Sequence, residues 1–315
     1  MKKRLLLIII CSIIIGMQKV GAQIAKVALS HNGNITMYNA EELQTAIDAS
    51  VDGDTLFLNE GTFSGGITIS KKISLIGAGD KTVISGNLYI SLTGKLTSRM
   101  LDAINISEKL YVSSDSNDLL DGLIIRKCVF KSFDTGTSLT NAIIDRCYQT
   151  NVEYYLYHYF KVSSNFKHSN VIKVVNSVIG CYHGYDATIN NTIFVNCNVK
   201  SGYAYDKSTS NKATFYNCIV DNFYSKANFS NSQFIYCYLK IDSGTTQNCQ
   251  FGTITWDGVN CTSTNMLGQD GTPVGIDGGT TPYTLVPTTP KMESFDLKVD
   301  TQSKKLNVNI KMTAN

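Results

Sequence analysis

The chain has 315 residues, of which 43% are hydrophobic and 17% are charged, and its formal net charge is +3. This composition is apolar enough to bury a core and too weakly charged for a disordered chain. Four basic residues lie in the first 22 positions, so the rest of the chain carries 24 basic and 25 acidic residues. Nucleic-acid binding is therefore excluded, because it needs a basic excess on the mature domain.

Residues 1–22 are predicted to be a signal peptide. A charged start, Lys2 to Arg4, precedes an apolar run of eleven residues from Leu5 to Ile15. Val20 and Ala22 then supply the small residues that precede a cleavage site. The apolar run is too short to cross a bilayer, so we expect an exported protein whose mature chain has no membrane span.

One helix is predicted from Asn39 to Ser50. Asn39 can act as its N-cap, and Glu42 occupies the capping-box position three residues later. The apolar residues that share one stripe of this helix are Leu43, Ile47 and Val51. A short amphipathic helix of this kind suits the closing of one end of a solenoid.

Short β runs separated by glycine turns follow this helix. They are Asp54 to Leu58, Gly61 to Phe63, Gly65 to Ile69 and Lys72 to Gly79. This order of helix, strand, Gly-Thr-aromatic turn and strand ending in Gly-x-Gly resembles the amino-terminal coils of right-handed parallel β-helix proteins of the pectin-lyase-like superfamily. The resemblance covers residues 39–90, and its repeat spacing continues to about residue 265. It implies an architecture and no particular activity.

Eight cysteines follow the signal peptide and mark a repeat. They are Cys128, Cys147, Cys181, Cys197, Cys218, Cys237, Cys249 and Cys261. A period near twenty residues with short apolar strands is typical of stacked coils. Aligned residues on neighbouring parallel strands lie about 4.8 Å apart with parallel Cβ vectors, which suits disulfides poorly. Most of these cysteines are therefore predicted to be buried free thiols in an interior ladder, and no metal or cofactor is expected.

Tyrosines are concentrated in the coils after residue 150. From Val152 to Val162 the residues alternate, and one face of the predicted strand carries three tyrosines. Tyrosine offers a stacking surface and a hydroxyl, which suits polymer binding, although it also simply favours strands. The candidate ligand-binding residues are Tyr155, Tyr157, Tyr159, Tyr182, Tyr185, Tyr203 and Tyr205.

The candidate catalytic residues are His183, Asp186, Lys173 and Arg146. His183 and Asp186 have the composition of a general base and its orienting carboxylate. Arg126 and Arg146 occupy similar places before their cysteines and could neutralise an acidic sugar, or they could be surface residues. The chain lacks the Asn-Thr-Asp, Asp-Asp, Gly-His-Gly and Arg-Ile-Lys set of the polygalacturonase-like enzymes and any acidic cluster that resembles a Ca²⁺ site.

All four prolines lie between Pro273 and Pro290 and mark the exit from the coils. Alternating apolar residues then predict a β-hairpin, which either covers the end of the solenoid or forms a separate module. The tail from Thr281 to Met312 resembles that of exported β-helix proteins of Gram-negative anaerobes. The predicted organisation is a signal peptide (1–22), a right-handed parallel β-helix with its capping helix (23–270), an exit segment (271–290) and a C-terminal β-hairpin (291–315).

The leading functional hypothesis is an all-β protein, exported to the periplasm, surface or exterior of a Gram-negative bacterium, that binds a polysaccharide or surface glycan. Its tyrosine-rich flank would carry the binding, and catalysis is not evident. One alternative is a polysaccharide lyase or glycoside hydrolase that uses the candidate catalytic residues. The other is a structural or adhesion protein that binds another protein.

Overall fold

The protein is an all-β parallel solenoid with one short α-helix, as the sequence predicts. The structure is a computed structural model, and the predicted signal peptide lies outside the residues that it describes. Those residues are 25–92, 95–113, 120–135, 139–150, 172–175, 177–183, 190–204, 212–222, 232–241, 244–256, 261, 265–280, 282, 291–300 and 305–313.

The strands follow one another with few other elements. In chain order they are β1 (Lys26–His31), β2 (Asn34–Asn39), β3 (Thr55–Leu58), β4 (Gly61–Ser64), β5 (Ile67–Ile69), β6 (Ser74–Ser85), β7 (Leu88–Ser91), β8 (Lys95–Ser113), β9 (Leu120–Arg126), β10 (Val129–Thr135), β11 (Leu139–Thr140), β12 (Ile143–Asp145), β13 (Tyr148–Gln149), β14 (Ile172–Val175), β15 (Val178–His183), β16 (Asn190–Val195), β17 (Asn198–Ala204), β18 (Lys212–Tyr216), β19 (Ile219–Asn222), β20 (Gln233–Ile235), β21 (Tyr238–Lys240), β22 (Thr245–Gln247), β23 (Gln250–Phe251), β24 (Lys291–Asp300) and β25 (Lys305–Thr313).

The amino-terminal end is closed by a hairpin and a helix. Strand β1 pairs antiparallel with both β2 and β3. A 3-10 turn (Ala40–Glu42) then leads into helix α1 (Leu43–Ala49), and the Asn39 N–H donates to Glu42 Oε2 at 2.7 Å. Leu43 and Ile47 are buried as predicted, but Val51 is 49% exposed because it lies beyond the end of the helix. Among the described residues no helix is long and apolar enough to cross a membrane.

Two ladders of parallel strands form the main faces of the solenoid. Ladder A contains β3, β6, β8, β9, β12, β14, β16, β18, β20 and β22. Ladder B contains β4, β6, β8, β10, β13, β15, β17, β19, β21 and β23. Strands β6 and β8 are long enough to run through both ladders. In the first coils β5, β7 and β8 add a third face.

The core consists of columns of side chains that are in register from coil to coil. The clearest column follows the inner side of ladder A, and its residues are Leu56, Leu75, Leu101, Ile125, Ile144, Val174, Phe194, Phe215, Phe234 and, at the last coil, Thr246. The residues of this column from Leu56 to Phe234 are buried. The repeat near twenty residues therefore corresponds to one turn of the solenoid.

The predicted thiol ladder forms where ladder A turns into ladder B. The backbone N–H of Cys197 donates to Cys218 Sγ at 3.4 Å, and the same bond links Cys218 to Cys237 and Cys237 to Cys249. The cysteines that occupy this corner are Cys128, Cys147, Cys197, Cys218, Cys237 and Cys249, and all six are free thiols. This confirms the prediction that most of the cysteines are unpaired.

Two cysteines do not occupy the corner. Cys181 lies within β15 in register with Ser201, and Ser177 takes the corner position of that coil. The Ser177 hydroxyl accepts from the Cys147 N–H at 3.0 Å and donates to the Val175 carbonyl at 2.7 Å. Cys261 is buried in a separate apolar cluster. The coil between those of Cys147 and Cys197 therefore has a hydroxyl, that of Ser177, in place of the corner thiol.

After the last coil the chain folds back along the outside of ladder B. We call the described residues 252–256, 261 and 265–279 the return segment. Its hydrogen bonds to side chains of the coils include those from Trp256 Nε1–H to Asp221 Oδ2 at 2.7 Å, from the Gln269 N–H to Asn217 Oδ1 at 2.9 Å, and from the Ile276 N–H to Asn198 Oδ1 at 3.2 Å. Its apolar residues pack on Ile219, Tyr238 and Tyr148. The coils therefore end at β23, and part of the predicted β-helix range is this segment.

Strands β24 and β25 confirm the predicted C-terminal hairpin. They pair antiparallel from Lys291 with Thr313 to Asp300 with Lys305 and form a two-stranded sheet of their own.

Candidate functional site

The coils have one corner of constant length and one of variable length. From β9 onward, each strand of ladder A is joined to ladder B by two residues, and the second is the cysteine or serine of the thiol ladder. The first residue of this tight corner has a left-handed conformation in Asn196, Asn217 and Asn248, with φ of 50–52°. Asparagine adopts this conformation at lower cost than most residues, which explains its recurrence before the cysteines.

The variable corner joins the end of ladder B to the next strand of ladder A. Its connections from β13 onward are 150–171, 184–189, 205–211, 223–232 and 241–244. In a solenoid, insertions at one corner of successive coils come together along one side of the molecule, and that side is often the binding side. The variable corner is therefore the place where this fold can build a site without disturbing its core.

The predicted ligand-binding residues fall at or beside the variable corner. Those within its connections, which lie outside the described residues, are Tyr155, Tyr157, Tyr159, Tyr185 and Tyr205. Tyr182 is the penultimate residue of β15, and Tyr203 is the penultimate residue of β17. Both therefore border connections that carry further predicted tyrosines.

The register of β15 and β17 brings Tyr182 and Tyr203 to neighbouring positions. Cys181 pairs with Ser201 and His183 pairs with Ala204, so Tyr182 alone stands opposite Gly202 and Tyr203. This two-against-one count is a β-bulge, a feature that is common where a strand changes direction beside a site. Adjacent parallel strands lie about 4.8 Å apart, so the two tyrosines occupy successive rungs at the same end of ladder B.

The candidate catalytic residues lie at both corners. His183 ends β15 at the variable corner, and Asp186 follows in a connection outside the described residues. Lys173 is the second residue of β14 and is in register with Ile143. Arg146 lies in the tight corner, with φ of 50°, and its Nη2 contacts Asp145 Oδ2 at 2.7 Å. Lys173 lies one coil away from Ile143, and Ile143 lies three residues before Arg146, so the backbones of Lys173 and Arg146 are about 11 Å apart. The role of all four residues stays a prediction.

A cluster of four charged residues lies on the outer side of ladder A. Asp102, Arg126 and Asp145 are in register on successive strands, and Arg146 follows Asp145. Arg126 Nη2 lies 2.5 Å from Asp102 Oδ2, and this hydrogen bond raises the pKa of the Arg126 guanidinium. The cluster holds two fixed positive charges beside two carboxylates that are largely buried, so it can orient a polar ligand while remaining neutral overall.

The two aspartates of this cluster were not recognised from the sequence. The signal was present, because Asp102, Arg126 and Asp145 each come two residues before the corner residue, which is Ile104, Cys128 and Cys147 respectively. Alignment on the corner residue would have placed all three in one row. Among the described residues no group of three or more His, Cys, Asp or Glu side chains is arranged to hold a metal ion.

The return segment covers part of the outer side of ladder B. It buries Tyr148, Asn198 and Ile219 on the outer side of ladder B, and the Lys200 ammonium lies 5.2 Å from the Trp256 ring centre. Among the described residues, the strand ends at the variable corner and the outer side of ladder A are not covered by the return segment. In comparisons with known proteins, no family model, no curated protein and no solved structure matches the chain.

Proposed function

We propose that this protein is an exported β-helix protein, of the kind found in the pectin-lyase-like superfamily, that binds a polysaccharide or surface glycan along its variable corner. The observation that carries the proposal is the placing of Tyr182 and Tyr203 on successive rungs beside connections that contain Tyr185 and Tyr205. The predicted signal peptide, residues 1–22, supports export to the periplasm, surface or exterior of a Gram-negative bacterium.

The chemistry of the corner suits a polymer. Successive coils repeat at about 4.8 Å, a spacing comparable to the length of one sugar unit, so one coil can meet one unit of an extended glycan. Tyrosine rings stack on the apolar faces of sugars and their hydroxyls hydrogen-bond, at a low cost in side-chain entropy. The binding strength would come from several weak contacts along the solenoid.

A double variant tests this proposal. Tyr182→Ala with Tyr203→Ala should weaken retention on an immobilised polysaccharide by about ten-fold, because each aromatic contact contributes about 0.5–1.5 kcal/mol. Affinity electrophoresis through gels that contain a panel of neutral and acidic polysaccharides measures this retention.

The matched control is Tyr236→Ala. Tyr236 is the half-buried first residue of the tight corner between β20 and β21, at the opposite end of these strands from the variable corner. We expect this variant to bind as the wild type does. Unchanged retention of the double variant, or an equal loss of retention in the control, would contradict polymer binding by the tyrosines at the variable corner.

The second candidate function is cleavage of an acidic polysaccharide, and the charged cluster on ladder A favours it. An arginine that neutralises a sugar carboxylate makes the neighbouring proton more acidic, as β-elimination requires. Arg126 would neutralise the carboxylate. Lys173, two coils further along ladder A, would accept the proton from the neighbouring carbon as the glycosidic C–O bond breaks and the oxygen leaves with the adjoining sugar. Incubation with uronic-acid polymers should then give an ultraviolet-absorbing unsaturated product that Arg126→Ala abolishes. Absence of both this product and new reducing ends would leave the binding function alone, for a glycan or for another protein.

A further inference from the structure

Strand β2 is an unprotected sheet edge at the amino-terminal end of ladder A. It pairs with β1 on one side, and among the described residues it pairs with no other strand. Natural proteins protect such edges with charged side chains, prolines or very short strands. The segment from Asn32 to Asn39 contains no charged residue and no proline, and β2 is six residues long. The other end of ladder A is protected in comparison, because β22 has only three residues.

Two apolar side chains of β2 are well exposed. Ile35 is 57% exposed and Met37 is 59% exposed. Met37 is in register with Ala28 of β1, which is in register with Phe57 of β3, and Phe57 is itself 45% exposed. The free edge therefore continues an apolar surface on the outer side of the sheet. An exposed apolar patch next to an open strand edge is typical of a protein–protein contact.

We propose that β2 pairs antiparallel with β2 of a second copy of this chain, around a two-fold axis at Thr36. This register places Ile35 beside Met37 of the second copy, and Met37 beside Ile35 of that copy, so two identical apolar pairs form on one face. A two-fold contact of this kind is closed, which limits the assembly to a dimer. A copy of the same strand meets no charge repulsion, because the strand carries no charge.

The second copy is the partner that fits this edge best because the strand is complementary to itself. The residues on either side of Thr36 are both apolar and both exposed, so a two-fold axis pairs apolar with apolar without any change in the backbone. The contact does not depend on the proposed polymer binding, since β2 lies before the first coil and the candidate ligand-binding tyrosines all follow β13.

The expected dimer is weak and depends on concentration. One strand pair with its flanking side chains is at the lower end of interface sizes, which corresponds to a dissociation constant of about 10–100 µM. Sedimentation velocity of the mature full-length chain, from about 1 to 500 µM, should show a shift from monomer to dimer over this range. A chain that stays monomeric throughout, or one that forms larger polymers, would overturn the proposal.

Charge substitutions at the axis give a sharper test. Thr36→Lys places two like charges opposite each other, and so does Thr36→Asp, so each variant should dimerise at least about ten-fold more weakly than the wild type. An equimolar mixture of the two variants should pair again, because the axis then joins opposite charges. Circular dichroism melts near the wild-type value show that both variants are folded.

The control is Thr245→Lys at the opposite end of ladder A, where Thr245 is exposed. It should leave the dimer unchanged. Loss of the dimer in this control, persistence of the dimer in both Thr36 variants, or failure of the mixture to pair would each overturn the two-fold contact at β2.

Discussion

Replacing Phe215 with alanine is expected to lower the free energy of unfolding by about 3–5 kcal/mol. Phe194, Phe215 and Phe234 are fully buried, and their rings are stacked in consecutive coils with 4.7 Å between ring centres and nearly parallel planes. Phe215 is the middle ring, so its removal takes a stacking contact from both neighbours. The coils above and below cannot close the cavity, because their spacing is fixed by the backbone hydrogen bonds of ladder A.

Urea unfolding followed by circular dichroism measures this loss. The matched control is Thr214→Ala, one residue earlier on the same strand, which is outside the core column and should change the free energy of unfolding by no more than about 0.5 kcal/mol. If both variants lost the same stability, or if Phe215→Ala unfolded like the wild type, the registered column of rings would be incorrect.

Gly65→Ala is expected to be nearly as damaging, with a loss of about 3 kcal/mol or more. A Cβ at Gly65 would lie 2.1 Å from the Ser85 carbonyl oxygen and 2.5 Å from the Gly86 Cα, both in the next coil. These are backbone atoms, so they cannot move away unless the two coils separate. The glycine is therefore required by the close approach of successive coils.

Gly66→Ala separates the steric clash between coils from the cost of a left-handed backbone conformation. A Cβ at Gly66 would meet nothing within 4 Å, and only its φ of +75° disfavours alanine. We expect a loss of about 1–2 kcal/mol there, which is the usual cost of the left-handed conformation. Thermal unfolding of the two variants under identical conditions gives the comparison. Equal losses would mean that the first coils are not packed as closely as the structure has them.

The sequence was sufficient to predict the architecture because the repeat acts locally. Asn39 and Glu42 close the amino-terminal cap as predicted, and the alternation after residue 290 gives the hairpin of β24 and β25. The cysteines mark most corners because a small apolar residue is needed there in every coil. Ser177 was missed because a buried hydroxyl can replace a thiol when it has two backbone partners, here the Val175 carbonyl of its own coil and the Cys147 N–H of the preceding coil.

The candidate site was less accessible from the sequence. The bulge that sets Tyr182 beside Tyr203 depends on pairing between residues about twenty apart, which no local pattern records. The return segment was missed for a similar reason: its contacts with Asn198, Asn217 and Asp221 bridge 35 to 78 positions of the chain. Long-range pairings of this kind are fixed by tertiary packing, so composition and periodicity cannot predict them.

Thiol labelling tests the stacking of the coils most directly. Burial raises the pKa of the Cys128 thiol to about 12 and raises that of Cys147 well above its usual range, so these groups should resist alkylation in the native protein at pH 8. After unfolding without reductant, mass spectrometry should find all six corner thiols labelled: Cys128, Cys147, Cys197, Cys218, Cys237 and Cys249. Corner cysteines that remain unlabelled after unfolding, or rapid labelling of Cys128 or Cys147 in the native protein, would contradict the registered solenoid on which the proposed binding site at the variable corner depends.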